Sequence, residues 1–526
     1  MKKVLIPFTI LIFLSQSWVI IAQDTLWPKV YMVNTQINDV IETYDGGIAC
    51  TGTVKLVGDN NAKGYGFVKK LDINGNTLWQ KYFGMYPPPG RVYGYALSQT
   101  SDGGFIITAT TNVYDYSDLL IMKLNACGEK EWERIFHSPG PQLIYPIYEL
   151  EDGSFMTVVC QWGEESFKNI WLFKLAADGR TLWQKYMGYW DPPSTNAEYA
   201  QDFIKSSDSN FVISGWGGVL EPEIDTVHWW TRPLFIKVDT AGNELWHNFI
   251  VGIGEEFVKG KAKSGDTDSQ GIIYCAGSRS DNGPGRPAIF KVSSTGETIF
   301  HEDISIESDS VVNGFAFDIR SMTDTSFYAF VGILNTTDTV KTYAYKLDSS
   351  GTVLDRKLLL DTASLFWPMG SVTTHDNKYI AASYDVVDGN RYSYLWKLQS
   401  NLEYDTLYTM PRVYDSLCPY PIISDTIPLD TTTVINLEHI WKSLTVMSVF
   451  PNPAWDKLRI AINIVKWQQR QLRATNLNGQ EIYNETIAPG RANHEVDISS
   501  WPPGIYVFSI FEKGVLLQTE KVVVVR

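Results

Sequence analysis

The sequence predicts an all-β chain: a seven-bladed β-propeller followed by a small C-terminal β-sandwich. Three observations carry that prediction. A unit of about fifty residues recurs seven times, the hallmark of repeat architectures. Each copy places its turn signals at the same offsets. The composition is aromatic (13%) and sparsely charged (20%), with 40 Gly among 526 residues, which suits pleated, half-buried surfaces. Hydrophobic content of 44% excludes wholesale disorder. The net charge of -15 argues against nucleic acid as a partner, because phosphates reward Lys and Arg.

One copy defines the unit. Asp102-Gly103-Gly104 precedes an apolar run to Thr110, Leu119 to Leu124 follows a loop, and a tight turn at Gly128 leads into Glu131 to Phe136. A Lys before Leu or Val marks the third segment of every copy: Lys70, Lys123, Lys174, Lys237, Lys291, Lys346 and Lys397, at intervals of 53, 51, 63, 54, 55 and 51. Gly stands five residues later in six copies, and Trp nine residues later in four (Trp79, Trp132, Trp183, Trp246), with Phe300 in the fifth. An Asp-turn precedes the second segment at Asp45, Asp102, Asp152, Asp208, Asp268, Asp324 and Asp376. Each copy therefore reads as four strands, A to D. The A–B and C–D turns carry Asp-Gly, Asn-Gly or their equivalents, which tolerate positive φ. Four strands per unit of about fifty residues is a propeller blade; separate sandwiches would need about a hundred residues each.

The first strand is out of place. Leu26 to Tyr31 resembles Leu78 to Phe83, a D strand with no A, B or C before it. The seventh copy lacks both the Gly and the Trp in its D region, 402–409. Residues 26–31 are therefore expected to pair with 391–398 and close the ring, which removes an exposed edge.

The ends read as addresses. Met1-Lys2-Lys3, the apolar stretch Val4 to Ile21 and Ala22 make a secretory signal cut after Ala22; a membrane anchor is the alternative. Residues 23–408 are the propeller. Residues 409–446, with Pro411, Pro419, Pro421, Pro428 and three consecutive Thr, read as an extended linker. Residues 447–526 are the sandwich, with alternating apolar runs between Asn-Gly and Pro-Gly turns. Here the ordered elements Pro451, Asn452 and Pro453, then Asn476 to Gly479, then Trp501-Pro502-Pro503-Gly504-Ile505-Tyr506, then Lys521 before a Val-rich tail, resemble the type A C-terminal sorting domain of the Bacteroidetes type IX secretion system. Trp501 stands where that pattern usually has Leu. The resemblance implies contact with the type IX machinery, passage through the periplasm and across the outer membrane, usual removal of the domain, and release or anchoring at the cell surface.

Ligand contacts are expected on the face carrying the long B–C and D–A loops, since loops on rigid scaffolds carry binding residues. Candidates are Tyr86 and Arg91 in one D–A loop, Trp190 and Asp191 in another, and Trp229 and Trp230 in the longest B–C loop. Exposed aromatics beside acids suit a glycan or a peptide; the plainer reading is that they pack the loops together. Stretches such as Leu71 to Trp79 resemble the tryptophan-docking repeats of quinoprotein-like propellers. In those repeats the Trp packs blade against blade, so no cofactor is implied. Asp72, Asn74 and Asn76 lack the distal Glu of a calcium loop, and the seven His form no metal pair. No catalytic residue and no metal ligand stands out. Cys50, Cys160 and Cys275 fall in B strands and read as small buried residues; with five Cys, at least one is unpaired.

The expected product is a monomeric, surface-delivered, non-enzymatic propeller that binds a glycan or protein. The alternative is a polysaccharide-degrading propeller enzyme or a quinoprotein-like oxidoreductase. Carboxylates converging in the channel would favour the enzyme, and an aromatic face without buried carboxylates would favour the binder.

Overall fold

The computed structural model describes residues 27–525 except 32–33, 56–63, 85–90, 113–117, 138–141, 163–167, 188–197, 220–229, 251–258, 281–284, 305–310, 336–339, 363–366, 388–389, 431–433, 437–446, 463–469 and 488–492. Seven antiparallel blades span 35–84, 92–137, 142–186, 198–249, 260–303, 311–362 and 367–398. The seventh blade takes its outermost strand from the N-terminus. Lys29–Tyr31 pairs with the third strand of blade 7, Lys29 opposite Leu395 and Tyr31 opposite Ser393. The sequence-predicted ring closure is present.

The middle strands of the blades are largely buried between neighbouring sheets, most completely in blades 1 and 2. Ile48–Val54 and Tyr65–Leu71 of blade 1 are buried throughout, as are Phe105–Thr111 and Asp118–Leu124 of blade 2. Such strands read as near-continuous apolar runs, since both faces meet a neighbouring sheet. Cys50, Cys160 and Cys275 sit buried in these second strands, outside the disulfide.

The repeated residues join blade to blade. The Trp of one D strand lies against the Gly of the next blade's C–D turn: Trp132 at Gly179, Trp183 at Gly242, Trp246 at Gly296, with Phe300 doing the same at Gly351. Those glycines have φ between +75° and +92°. Trp27, fully buried, repeats the contact from blade 7 to Gly75 of blade 1. The Trp132 and Trp246 indoles also donate to Ala177 and Ser294 carbonyls at 2.8 and 3.0 Å. The repeated Lys works at the same seam. Lys237, Lys291, Lys346 and Lys397 donate to the Ser294, Ser349, Ser400 and Ile73 carbonyls of the following blade, at 3.3, 2.9, 2.9 and 3.1 Å. Within its own blade the Lys meets the Asp-turn in four copies: Lys70–Asp45 at 2.8 Å, Lys123–Asp102 at 2.7 Å, Lys174–Asp152 at 3.1 Å and Lys237–Asp208 at 2.6 Å.

The segment after blade 7 departs from the linker expected over 409–446. It is extended, but it is laid along blades 1 and 2. Asp415 accepts the Trp79 indole at 3.1 Å, the Ile73 amide donates to the Tyr414 hydroxyl at 3.0 Å, and Cys418 is bonded to Cys127. Asp425–Pro428 and Val434–Asn436 then pair in parallel with the outer strands of blades 1 and 2. Prolines suit such edge positions because they need donate no ladder bond.

The C-terminal sandwich packs a three-stranded sheet and a four-stranded sheet around one core that includes Leu458, Ile460, Leu472, Trp501, Phe508 and Val522. Its motif residues have structural tasks. The Asn452 side chain donates to the Lys521 carbonyl at 2.7 Å and accepts the Val523 amide at 2.8 Å, pinning the last strand. The Tyr506 hydroxyl donates to the Pro502 carbonyl at 2.8 Å, and Gly479 takes φ +78° at the hairpin tip. Trp501 is buried and stacks on Phe508, ring centroids 5.8 Å apart, so the larger residue is accommodated in the core.

Candidate functional site

Every innermost strand slips register, that of blade 6 three times, and one slip from each blade lies at one level of the channel. These fall between Ile37 and Asp39, Gly94 and Ala96, Ile144 and Ile147, Ala200 and Asp202, Ala262 and Gly265, Ala316 and Asp318, and Pro368 and Ser371. A bulge frees a residue from pairing and re-aims its side chain. The freed residues are Asn38, Tyr95, Tyr145–Pro146, Gln201, Lys263–Ser264, Phe317 and Met369–Gly370. All of them line a cavity of about 360 Å³ in the channel, with Gln36, Tyr93, Tyr199 and Arg320. Most lining residues come from the first half of their strands, so the cavity lies toward the D–A loop face.

Four carboxylates converge on this level, Asp39, Asp202, Asp266 and Asp318, and each is spent on the neighbouring blade. Asp39 accepts the Leu97 amide at 3.0 Å, Asp266 the Ser321 amide at 2.8 Å, and Asp318 the Ser371 amide and hydroxyl at 2.9 and 2.8 Å. Asp202 accepts the Gly265 amide at 3.2 Å. Ser264 Oγ stands 2.7 Å from both Asp202 and Asp318. A hydroxyl has one proton to give, so the trio is satisfied when Asp202 holds a proton and donates to Ser264, which donates to Asp318. Burial drives Asp202 in that direction, lifts Asp266, and raises Asp39 to about 7.

Arg320 is the central strut. It donates to the Ser371 carbonyl and the Gly265 carbonyl, both at 2.8 Å, and pairs with Asp318 at 3.0 Å. Burial opposes its charge, but Asp318, Asp202, Asp266 and Tyr148 more than offset that and hold the guanidinium above its usual range.

Lys263 differs from these groups. Its Nζ lies 3.6 Å from the centroid of Phe317, and among the described residues it meets no hydrogen-bond acceptor. Burial lowers its ammonium to about 7, only partly countered by Asp318. Around it the phenols stay protonated: burial raises Tyr95 and Tyr145 and pushes Tyr199 to about 12. The Tyr145 hydroxyl donates to the Ala200 carbonyl, and Tyr199 stacks on Trp216 at 5.2 Å. The chamber thus offers aromatic faces, amide side chains and one amine. A second hollow of about 710 Å³ on the short-turn face is lined by Glu149, Asp152, Lys174 and Lys205, where Asp152 and Lys174 are already paired.

Of the sequence-predicted ligand residues, Tyr86, Trp190, Asp191 and Trp229 lie outside the described residues. Arg91 is exposed and donates to Tyr93 at 3.4 Å, which places it beside the cavity wall. Trp230 opens the third strand of blade 4, opposite Val219. The bulge residues escaped sequence reading, though they have a signal. In six blades the freed position stands seven residues before the Asp-turn: Asn38, Tyr95, Tyr145, Gln201, Phe317 and Met369. In blade 5 the slip lies two residues nearer the Asp-turn and frees Lys263 and Ser264. No group of three His, Cys, Asp or Glu among the described residues is placed to hold a metal.

No curated protein matches the chain. An ulvan lyase of polysaccharide lyase family PL25 superposes with a TM-score of 0.49 at 10% identity, over 71% of this chain and 96% of that one. Drosophila semaphorin 2a gives 0.41 at 9% over 95% and 98%, and a Hadza microbial sialidase 0.35 at 10% over 56% and 63%. At such identities the likeness concerns fold alone. Residues 448–525 match the secretion system C-terminal sorting domain. The chain is thus a propeller protein carrying a type IX sorting domain, which marks it for export to the cell surface or extracellular space.

Proposed function

We propose that this protein is a monomeric, non-enzymatic binding module, led into the periplasm by residues 1–22 and delivered outside the cell, whose ligand is a saccharide end held in the channel mouth. One observation carries the reading: the bulges aim Tyr95, Tyr145 and Phe317 together with Asn38 and Gln201 into one cavity. Sugar rings present apolar C–H faces that stack on aromatic rings, and hydroxyls that bond amides. At about 360 Å³ the cavity lies within the ~300–1,000 Å³ range of small-molecule sites. The loop residues Tyr86, Arg91, Trp190, Asp191, Trp229 and Trp230 would extend the contact above it.

The enzyme reading draws on the four converging carboxylates, yet each is committed to the neighbouring blade's backbone N–H groups. A general acid or base must reach substrate. For the quinoprotein-like reading, the repeated Trp residues pack on glycines and so speak for the fold and not for a cofactor. A glycan array and polysaccharide pull-down with the exported protein tests the proposal. Tyr95→Ala and Gln201→Ala should each weaken capture about tenfold, and Trp229→Ala and Trp230→Ala report the loop contribution. Capture indifferent to Tyr95 and Gln201, or turnover of a captured saccharide, would sink it.

A further inference from the structure

We propose that the saccharide is acidic, and that Lys263 Nζ binds its carboxylate or sulfate group; this rests on the saccharide reading above. The argument begins with what the cavity's ions already do. Arg320 spends its guanidinium on Asp318 and on the Ser371 and Gly265 carbonyls. Asp39, Asp202 and Asp318 accept backbone amides of adjacent blades. These groups are structural ties with little capacity left for a ligand. Lys263 is different in position and in engagement. It belongs to the two-residue bulge of blade 5, lines the cavity, and holds its Nζ against the Phe317 ring with no acceptor among the described residues.

A half-buried amine that faces a cavity and has no acceptor is costlier in its charged form than one in open water. An arriving anion supplies the missing acceptor, and the pair forms in a low-dielectric setting where it is stronger than in water. The surrounding carboxylates do not cancel this attraction. Asp318 is neutralised locally by Arg320, and the Asp202–Ser264–Asp318 trio is satisfied when Asp202 is protonated. Asp39 is lifted to about 7 and carries only part of its charge near neutrality. Tyr145 and Tyr199 remain neutral. An amine lowered to about 7 by burial also takes up a proton as the anion binds, which neutral saccharides would not require.

The test compares the full exported protein with Lys263→Gln and Lys263→Arg, after matching thermal midpoints show that both variants fold. The probes are a uronate oligosaccharide, its carboxyl-reduced form, a sulfated oligosaccharide and its desulfated form, measured by calorimetry in two buffers of different ionisation enthalpy. At least one acidic probe should bind ten-fold or more tightly than its neutral partner, with net proton uptake. Lys263→Gln should erase that preference and the uptake while leaving neutral binding in place, and Lys263→Arg should restore the preference. The uronate and sulfate arms identify the anion. Equal binding of acidic and neutral probes, or indifference to Lys263→Gln, overturns the acidic specificity while Tyr95-dependent capture stands. No capture of any saccharide overturns both readings.

Discussion

Gly242 stands at the tip of a C–D turn in blade 4 with φ +75°, and the indole of Trp183 from blade 3 occupies the place a β-carbon would take. Gly153 has nearly the same φ, +73°, in an A–B turn of blade 3, with open space around it. The two separate backbone strain from seam contact. Gly153→Ala should cost about 1–2 kcal/mol, the expense of a β-carbon in the left-handed region. Gly242→Ala adds overpacking against a rigid ring, a further ~1–3 kcal/mol. Chemical denaturation of both variants checks this, and equal losses would mean that Trp183 moves aside freely. The repeated Gly is thus a seat for the preceding blade's aromatic ring as well as a turn residue. Sequence periodicity recorded the spacing of both residues without showing that they belong to different blades.

At the level of elements, two segments close and brace the ring. Trp27 is fully buried and brings the N-terminal strand onto the C–D turn of blade 1. Trp27→Ala should lose ~3–5 kcal/mol, as for large aromatic truncations, and should expose the amides of residues 393–395 to fast hydrogen exchange. Protection unchanged at those amides would show that the clasp holds without its anchor. The segment from Asp405 to Asn436 is the second brace. Cys418→Ser removes the bond to Cys127 across 291 residues and should destabilise by ~2–4 kcal/mol. Exchange should rise along 412–428, while the pairing of blades 3 to 6 stays protected. The clasp was legible because a D strand stood alone before any A strand. The brace was not, because prolines and threonines describe an extended chain equally well when it is free and when it lies along an edge. The same limit applies to the site. Aromatics beside acids mark the loops in the sequence, while the bulge residues lie inside strands whose alternation hides them. Only their constant distance from the Asp-turn, seen against the pairing registers, singles them out.

At the scale of the whole molecule, the two ends of the inner strands hold acids displaced in opposite directions, which fixes how stability depends on pH. At the A–B turns, hydrogen bonds and the repeated Lys bring Asp45 and Asp208 down to about 2 against the opposing effect of burial, and bonds from Ser154 and Lys174 do the same for Asp152. A carboxylate depressed in the folded state stabilises above its unfolded value, near 3.9, and loses that contribution as pH falls toward 2. In the channel, burial raises Asp39 from 3.8 to about 7, and Asp202 and Asp266 move the same way. The folded state then holds more protons than the unfolded state between about pH 4 and 7, so stability falls as pH rises through that window. Lys263, lowered from 10.5 to about 7, acts above it with the opposite sign: the unfolded amine holds the proton, and stability recovers between about 7 and 10.5. The thermal midpoint should therefore peak near pH 4–5, decline toward about 7, and decline more steeply below about 4. Asp208→Asn should flatten the acid limb. Asp39→Asn should flatten the decline toward 7, even though it sacrifices one acceptor for the Val40 or Leu97 amide. General repulsion from the net charge of -15 also grows with pH, but it would survive Asp39→Asn unchanged and respond to salt, whereas a buried acid is screened little. A midpoint that rises steadily from pH 4 to 7 would mean that the channel acids are ionised at little cost, and that the blade-to-blade amide bonds alone hold them in place.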